Sequence, residues 1–166
     1  MELILPSIEL EPAFSRMVEE YRVQNEGEQY TSITDHAAYI QHLLDEAKGV
    51  NLKPGYVPAS TYWLMVDGDI AGVGRLRHRL TPELEFRGGH IGYDISPPFR
   101  RRGLGTELLR LTLEKAAELS LERVLISCDD ENIGSYKIIE KNGGMLEDKR
   151  IDPVSGKLFR RYWIEL

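Results

Sequence analysis

The sequence predicts a mixed α/β domain: a central sheet of about seven strands with helices on both faces. Three observations predict it. Alternating apolar runs and helical-period runs succeed one another in the order strand, helix, helix, three strands, helix, strand, helix, two strands. The 166 residues suit one domain, and 42% hydrophobic with 29% charged residues is ordinary for a globular chain. Residues 91–106 read as a strand that stops at Pro97-Pro98, an Arg100-Arg101-Arg102 cluster, Gly103-Leu104-Gly105, and then a helical pattern.

The elements follow in order. Residues 2–5 form a short strand ended by Pro6. Glu11 to about Asn25 carries Phe14, Met17, Val18 and Tyr21 at helical spacing, and Gly27 breaks it. Thr34 is the expected N-cap of a second helix running to about Lys48, with Ala37, Ile40, Leu44 and Ala47 on its apolar face. Residues 49–60 hold two prolines and two glycines and read as a loop. Two strands, 61–66 and 70–80, meet at the hairpin signal Asp67-Gly68-Asp69. Gly72 and Gly74 in the second mark a bulge or a close approach. Residues 81–87 read as a loop or strand end, and 89–96 as the next strand.

The clearest helix is 103–120, whose leucines and Ala116 make the wide apolar stripe a sheet-packed helix requires. A Val/Leu/Ile-rich strand at 122–128, a polar turn, a helix at 133–142 ended by Gly143-Gly144, and strands at 145–148 and 158–165 complete the chain. The whole, 1–166, reads as a single domain.

The net charge of −6 argues against general nucleic-acid binding, so the arginine cluster is a local positive spot on an acidic background. One cysteine, Cys128, permits no intramolecular disulfide, and no apolar run approaches the roughly 20 residues of a membrane span. The opening Met-Glu-Leu-Ile-Leu-Pro lacks the pattern of a signal peptide, and a cytoplasmic, non-membrane protein is expected. The four histidines are scattered, so no metal site is expected.

A strand feeding a glycine-rich turn and a helix N-terminus is an anion site, because the first helical N–H groups lack partners and the dipole end is positive. A dinucleotide fingerprint fails, since its third glycine falls at Leu108, and no Gly-Lys-Ser or Gly-Lys-Thr phosphate loop occurs. No Gly-x-Ser-x-Gly nucleophile elbow is present either.

The pattern Arg100-x-x-Gly103-x-Gly105 opens a helix, precedes a second strand, and is followed by Asn132-Ile-Gly-Ser135 and Glu140-Lys-Asn-Gly-Gly144. Over residues 89–148 it resembles the acyl-CoA site of the GNAT superfamily of N-acyltransferases. The resemblance implies a mostly antiparallel sheet with one splayed pair of strands. It implies acetyl-CoA as cosubstrate, an amine of a small molecule or peptide as acceptor, and direct acyl transfer without an acyl-enzyme. By the resemblance, the pyrophosphate lies on the amides of Arg101, Arg102, Gly103, Leu104, Gly105 and Thr106. The pantetheine arm runs along Tyr93, Asp94 and Ile95 through backbone atoms, with Asn132 beside the thioester slot. Asn132 reads equally as a helix N-cap and can do both. The side chains of Arg101 and Arg102 read either as phosphate contacts or as solvated charges.

The chain departs from the family's commonest pattern. Ile139 stands where a tyrosine often protonates the departing thiolate, and Gly89 and Ser127 occupy frequent base positions. Ser135 is the candidate proton donor, with Tyr136 second. Candidates for the base are His90, Tyr93 and Glu85, beside proton removal through water. Glu26 and Glu28, in the stretch 24–34 expected to shape the acceptor site, read as attractants for a cationic amine or as a solvated loop. Trp63, Tyr62, Tyr162 and Trp163 read as sheet and core residues, and Cys128 as a core thiol. The charges of Arg75-Leu-Arg-His-Arg79 fall on one strand face, either solvated or facing an acidic substrate. Two rival readings are a non-catalytic acyl-CoA-binding module and a transferase for another acyl group. Monomer and homodimer are both open.

Overall fold

A computed structural model describes residues 1–166. Its strands are β1 (Glu2–Ile4), β2 (Ala59–Val66), β3 (Asp69–Arg77), β4 (Ile91–Ile95), β5 (Arg123–Asp129), β6 (Met145–Ile151) and β7 (Leu158–Glu165). Its helices are α1 (Glu11–Val23), α2 (Glu28–Thr31), α3 (His36–Ala47), α4 (Pro82–Phe86), α5 (Leu104–Glu118) and α6 (Ile133–Lys141).

The seven strands divide into two antiparallel ladders, β1-β2-β3-β4 and β5-β7-β6. β4 and β5 are joined only near the start of β4, by an isolated bridge between Gly89 and Ile126. The amide of His90 donates to the Leu125 carbonyl at 2.7 Å there. Beyond that point the strands share no ladder, and a slot opens between them. Ser96 ends β4: its amide donates to Ala71 O and its hydroxyl to Ile70 O, the latter at 2.6 Å. Pro97 and Pro98 then carry the chain out of the sheet in a 3-10 turn.

Two cores form on the two sides of the sheet. α1 and α3 bury Phe14, Met17, Ile40, Trp63 and Val73 together. α5 buries Leu109 and Ala116 with Leu76, Ile91, Val124 and Tyr162. The glycines of β3 allow α5 its close approach: a Cβ at Gly74 lies 2.8 Å from Thr112 Oγ1 and one at Gly72 lies 3.0 Å from Leu108 Cδ2. The ladder irregularity in this hairpin falls instead at Leu64/Met65 of β2.

Several local expectations shift. Asp35, not Thr34, caps α3, accepting from the Ala38 amide at 2.9 Å. The buried face of α3 is Ile40, Leu43 and Glu46, while Ala37 is exposed. The face is rotated because Glu46 turns inward to meet Arg75 at 2.6 Å, a pairing between distant segments that periodicity does not carry. Residues 82–86 are helical, not a loop or strand end. Thr81 caps them through its hydroxyl and Pro82 supplies a helix-ready first position. The expected 24–34 loop contains the single-turn helix α2, and the strand at 145–148 runs on to Ile151.

Candidate active site

The turn after β4 is shaped by two left-handed residues, Arg101 (φ 60°) and Gly103 (φ 79°). The first is uncommon for a side-chain-bearing residue. Left-handed residues in a turn of this kind are the backbone conformation from which anion-binding concavities are built. The amides of Arg101, Arg102, Gly103, Leu104 and Gly105 have no acceptor in the protein, whereas Thr106 and Glu107 both donate back to Gly103 O. α5 has no side-chain cap. A row of free donors therefore stands at the positive end of a 15-residue helix.

These amides open on a cleft of about 620 Å³ running between α5 and α6 to the splayed strands. Tyr93, Asp94, Ile95, Arg101, Gly103, Leu104, Gly105, Thr106, Asn132 and Ser135 all line it. Arg102 does not; its guanidinium stacks over the Phe99 ring at 5.4 Å. Lys137 and Lys141 on α6 do line it, and neither is expected from the sequence motif. The available signal is their i, i+4 spacing on the helix that Asn132 opens. Asn142 braces the two walls, donating through Nδ2 to Thr106 O at 3.2 Å and Ile138 O at 2.9 Å.

Deeper in, Asn132 caps α6 by accepting from the Ser135 amide at 3.0 Å. The Tyr93 hydroxyl lies 2.9 Å from Ser135 Oγ and donates to Ser135 O at 3.1 Å. Burial pushes the Tyr93 phenol up to about 12, against a lowering from its Ser135 bond. Tyr93 is thus a proton carrier rather than a base at neutral pH. Gly92, Tyr93, Cys128, Asn132 and Ser135 surround the slot between β4 and β5. The Cys128 thiol is half-buried, and burial raises its pKa, so it stays protonated.

Other candidates lie elsewhere. His90 is 6% exposed, and its Nδ1 accepts from the Leu125 amide at 2.9 Å. Burial first, then Arg77, lower its pKa to about 4. It fastens β4 to β5 at the closed end of the splay. Tyr136 turns away from the slot, with Arg160 stacked 3.9 Å over its ring. Glu85 is exposed on α4, where its carbonyl accepts from Arg161. Glu26 is tied to Arg100 at 2.6 Å, so its charge is already partnered. Ile139 is buried in the core, and Trp63 and Tyr162 are fully buried.

The fold and this cleft together define a class: a domain in which free helix-terminal amides stand at one end of a cleft and a splayed strand pair at the other. A sequence model of the acetyltransferase (GNAT) domain matches residues 4–145. The chain belongs to the GNAT acetyltransferase family, a family of acyl-CoA-dependent acetyltransferases. Among curated proteins it is similar to the uncharacterized N-acetyltransferase YnaD of Bacillus subtilis, at 33% identity over 54 residues. The match spans 32% of this chain and 32% of that protein. Its fold is shared with RimL, the ribosomal L7/L12 alpha-N-protein acetyltransferase solved with coenzyme A, at TM-score 0.73 and 18% identity, covering 99% of this chain and 93% of that one. It is shared also with the microcin C7 self-immunity acetyltransferase MccE, solved with acetyl-CoA and AMP, at TM-score 0.74 and 15% identity, covering 99% and 91%. The Salmonella typhimurium acetyltransferase that modifies the N-terminal serine of ribosomal protein L7/L12 aligns at TM-score 0.69 and 17% identity, covering 99% and 94%. No helix is long and apolar enough to cross a membrane.

Proposed function

We propose that this protein transfers the acetyl group of acetyl-CoA to a primary amine of a small molecule or peptide. One observation carries the reading: Arg101, Gly103, Leu104 and Gly105, whose amides are free, and the Tyr93–Ser135 pair line the same cleft. The pyrophosphate is held by those amides and by Lys137 and Lys141, whose ammonium groups supply counter-charge along α6. The pantetheine arm adds to the free side of β4 at Tyr93–Ile95 as an extra strand does. The thioester then reaches the slot beside Asn132 and Ser135.

The amine nitrogen attacks the thioester carbonyl carbon, forming the C–N bond. The nitrogen's proton leaves to water, and the C–S bond breaks as the tetrahedral adduct collapses. The Tyr93–Ser135 pair hydrogen-bonds the departing thiolate, which takes its proton from solvent through that pair. The raised pKa keeps the Tyr93 phenol protonated at neutral pH, so it presents a hydrogen-bond donor toward the departing sulfur while solvent supplies the net proton. Ser135 relays the proton through the 2.9 Å contact.

The test is twofold. Calorimetry with acetyl-CoA is expected to give one site of micromolar affinity, and no heat at high micromolar concentration refutes the reading. Free-thiol release across polyamines, amino acids and peptide N-termini then separates a transferase from a module that only binds.

A further inference from the structure

On the α1/α3 side of the sheet, β3 and β4 present an open patch centred on Gly92. Cross-strand register places Arg75 opposite Gly92 and Val73 opposite Asp94. Residues opposite one another, and two apart, share a face. Val73 belongs to the core beneath α1, which fixes Arg75, Gly92 and Asp94 to that same side. Gly92 is exposed, and a Cβ built on it meets no atom within 4 Å. The patch is continuous with the thioester slot, because Gly92 and Arg77 line the slot together with Tyr93 and Ser135.

The two ends of the patch carry opposite charges, Asp94 and Arg77, neither of which has an ion-pair partner. Asp94 is half-buried and makes one hydrogen bond, accepting from the Tyr30 hydroxyl at 3.0 Å through Oδ2. No Lys, Arg or His nitrogen lies within 4 Å of it. Burial holds the Tyr30 phenol far above its ordinary value, so it stays a neutral donor. At the other end Arg77 is half-buried and has no carboxylate partner. It spends only Nη1, on Gly89 O at 2.9 Å and more weakly on Gly88 O. Arg75 uses only Nη2, on Glu46. Most other arginines of this chain are ion-paired, Arg87 with both Asp129 and Asp152 and Arg161 with Glu147 and Asp148. A half-buried carboxylate with one neutral donor and a half-buried guanidinium with only carbonyl acceptors each lack an opposite charge, and a charged ligand would supply it. Arg75 and Asp94 are diagonal strand neighbours, about 7–8 Å apart, and Arg77 follows Arg75 on the same face, further along β3 from Asp94.

We infer that the patch over Gly92 is the acceptor site and that it takes a zwitterion, a small amine that also bears a carboxylate. Asp94 holds the amino end beside the thioester slot, and the free donors of Arg77 and Arg75 hold the carboxylate. An acceptor without a carboxylate leaves Arg77 unpaired, and one without a cationic nitrogen leaves Asp94 so. The inference rests on the acetyl-CoA reading above and names the acceptor class for that site.

The experiment measures CoA release by the full chain at saturating acetyl-CoA. Each of the twenty amino acids is compared with its own carboxamide. The expected result is at least one pair in which the acid exceeds the amide tenfold or more in kcat/KM. Arg77→Gln is expected to erase that preference by raising the KM of the acid tenfold or more, with the amide moved less than twofold. Asp94→Asn is expected to lower both members together, because both carry the amino group. Arg77→Lys can still donate to Gly89 O; if Arg77→Gln lowers the melting temperature, the lysine variant gives the same reading, a reduced preference in a folded protein. Equal rates for acids and amides overturn the inference. So does the absence of turnover on every amino acid while acetyl-CoA still binds, which leaves the cofactor reading standing. Failure to bind acetyl-CoA overturns the cofactor reading itself.

Discussion

Replacing Gly103 by glutamate probes the anion turn directly. From the sequence this change is expected to act by clash and by repulsion. The structure removes the first term, since a Cβ at Gly103 meets no atom within 4 Å. Two effects remain, and they separate. A side chain in the left-handed conformation (φ 79°) costs about 1–2 kcal/mol of folding stability. In a chain of this size that lowers the melting temperature by about 3–6 °C, for alanine as for glutamate. Repulsion acts on binding alone. A carboxylate roughly 5 Å from a phosphate charge, at an effective dielectric of about 20, is worth about 3 kcal/mol. That is about a hundredfold in the dissociation constant of acetyl-CoA. Calorimetry on Gly103→Ala is expected to show affinity within a few-fold of the parent, with the loss confined to Gly103→Glu. Raising the salt from about 0.05 to 0.5 M is expected to narrow the difference, because exposed charges are screened. Equal affinity of the glutamate variant and the parent refutes the placement of pyrophosphate at this turn.

Tyr93→Phe removes the hydroxyl beside Ser135 and leaves the ring in the core; kcat is expected to fall about 10²-fold or more, with acetyl-CoA affinity unchanged by calorimetry. Because that phenol titrates only near 12, no alkaline loss of activity attributable to it is expected below about pH 10, and one there counts against its role. His90 predicts an acid limit on stability. Its folded pKa, about 4, lies below the unfolded 6.5, so the stability it confers is complete above 6.5 and is lost as pH falls through 4. The span corresponds to about 3 kcal/mol, and the melting temperature of His90→Gln is expected to fall less steeply between pH 6.5 and 4 than that of the parent. Parallel slopes refute the assignment.

The unpaired amides of the turn after β4 were readable from the sequence because they are local, Thr106 excepted, whose amide turns back to Gly103 O. Three arginines, two glycines and a helix start within a few positions dictate where amides go unpaired, and no distant contact is needed to see it. Asn132 and Ser135 are readable for the same reason: an N-cap and the residue three beyond it form one turn. The histidine went the other way. His90 carries a side chain suited to proton transfer, but its role is set by the Leu125 amide, 35 positions away, which claims its nitrogen in the closed part of the splay. Tyr136 was likewise drawn off by Arg160, and Glu26 by Arg100.

The patch proposed as the acceptor site shows the division most sharply. Read as sequence, Asp94 is a strand residue offering backbone bonds, and Arg75 and Arg77 are charges on one strand face. Alternation establishes which residues share a face but not what covers that face. Only the tertiary structure brings Tyr30 across 64 positions to Asp94, turns Glu46 inward to Arg75, and leaves Gly92 bare between them. The sequence by itself determined the fold class, the strand–turn–helix unit and the amides that go unpaired at its turn, because each depends on neighbours in the chain. The partners of Tyr93, Asp94, Arg77 and His90 were decided by packing, because charge compensation and burial depend on segments that meet only in the folded state.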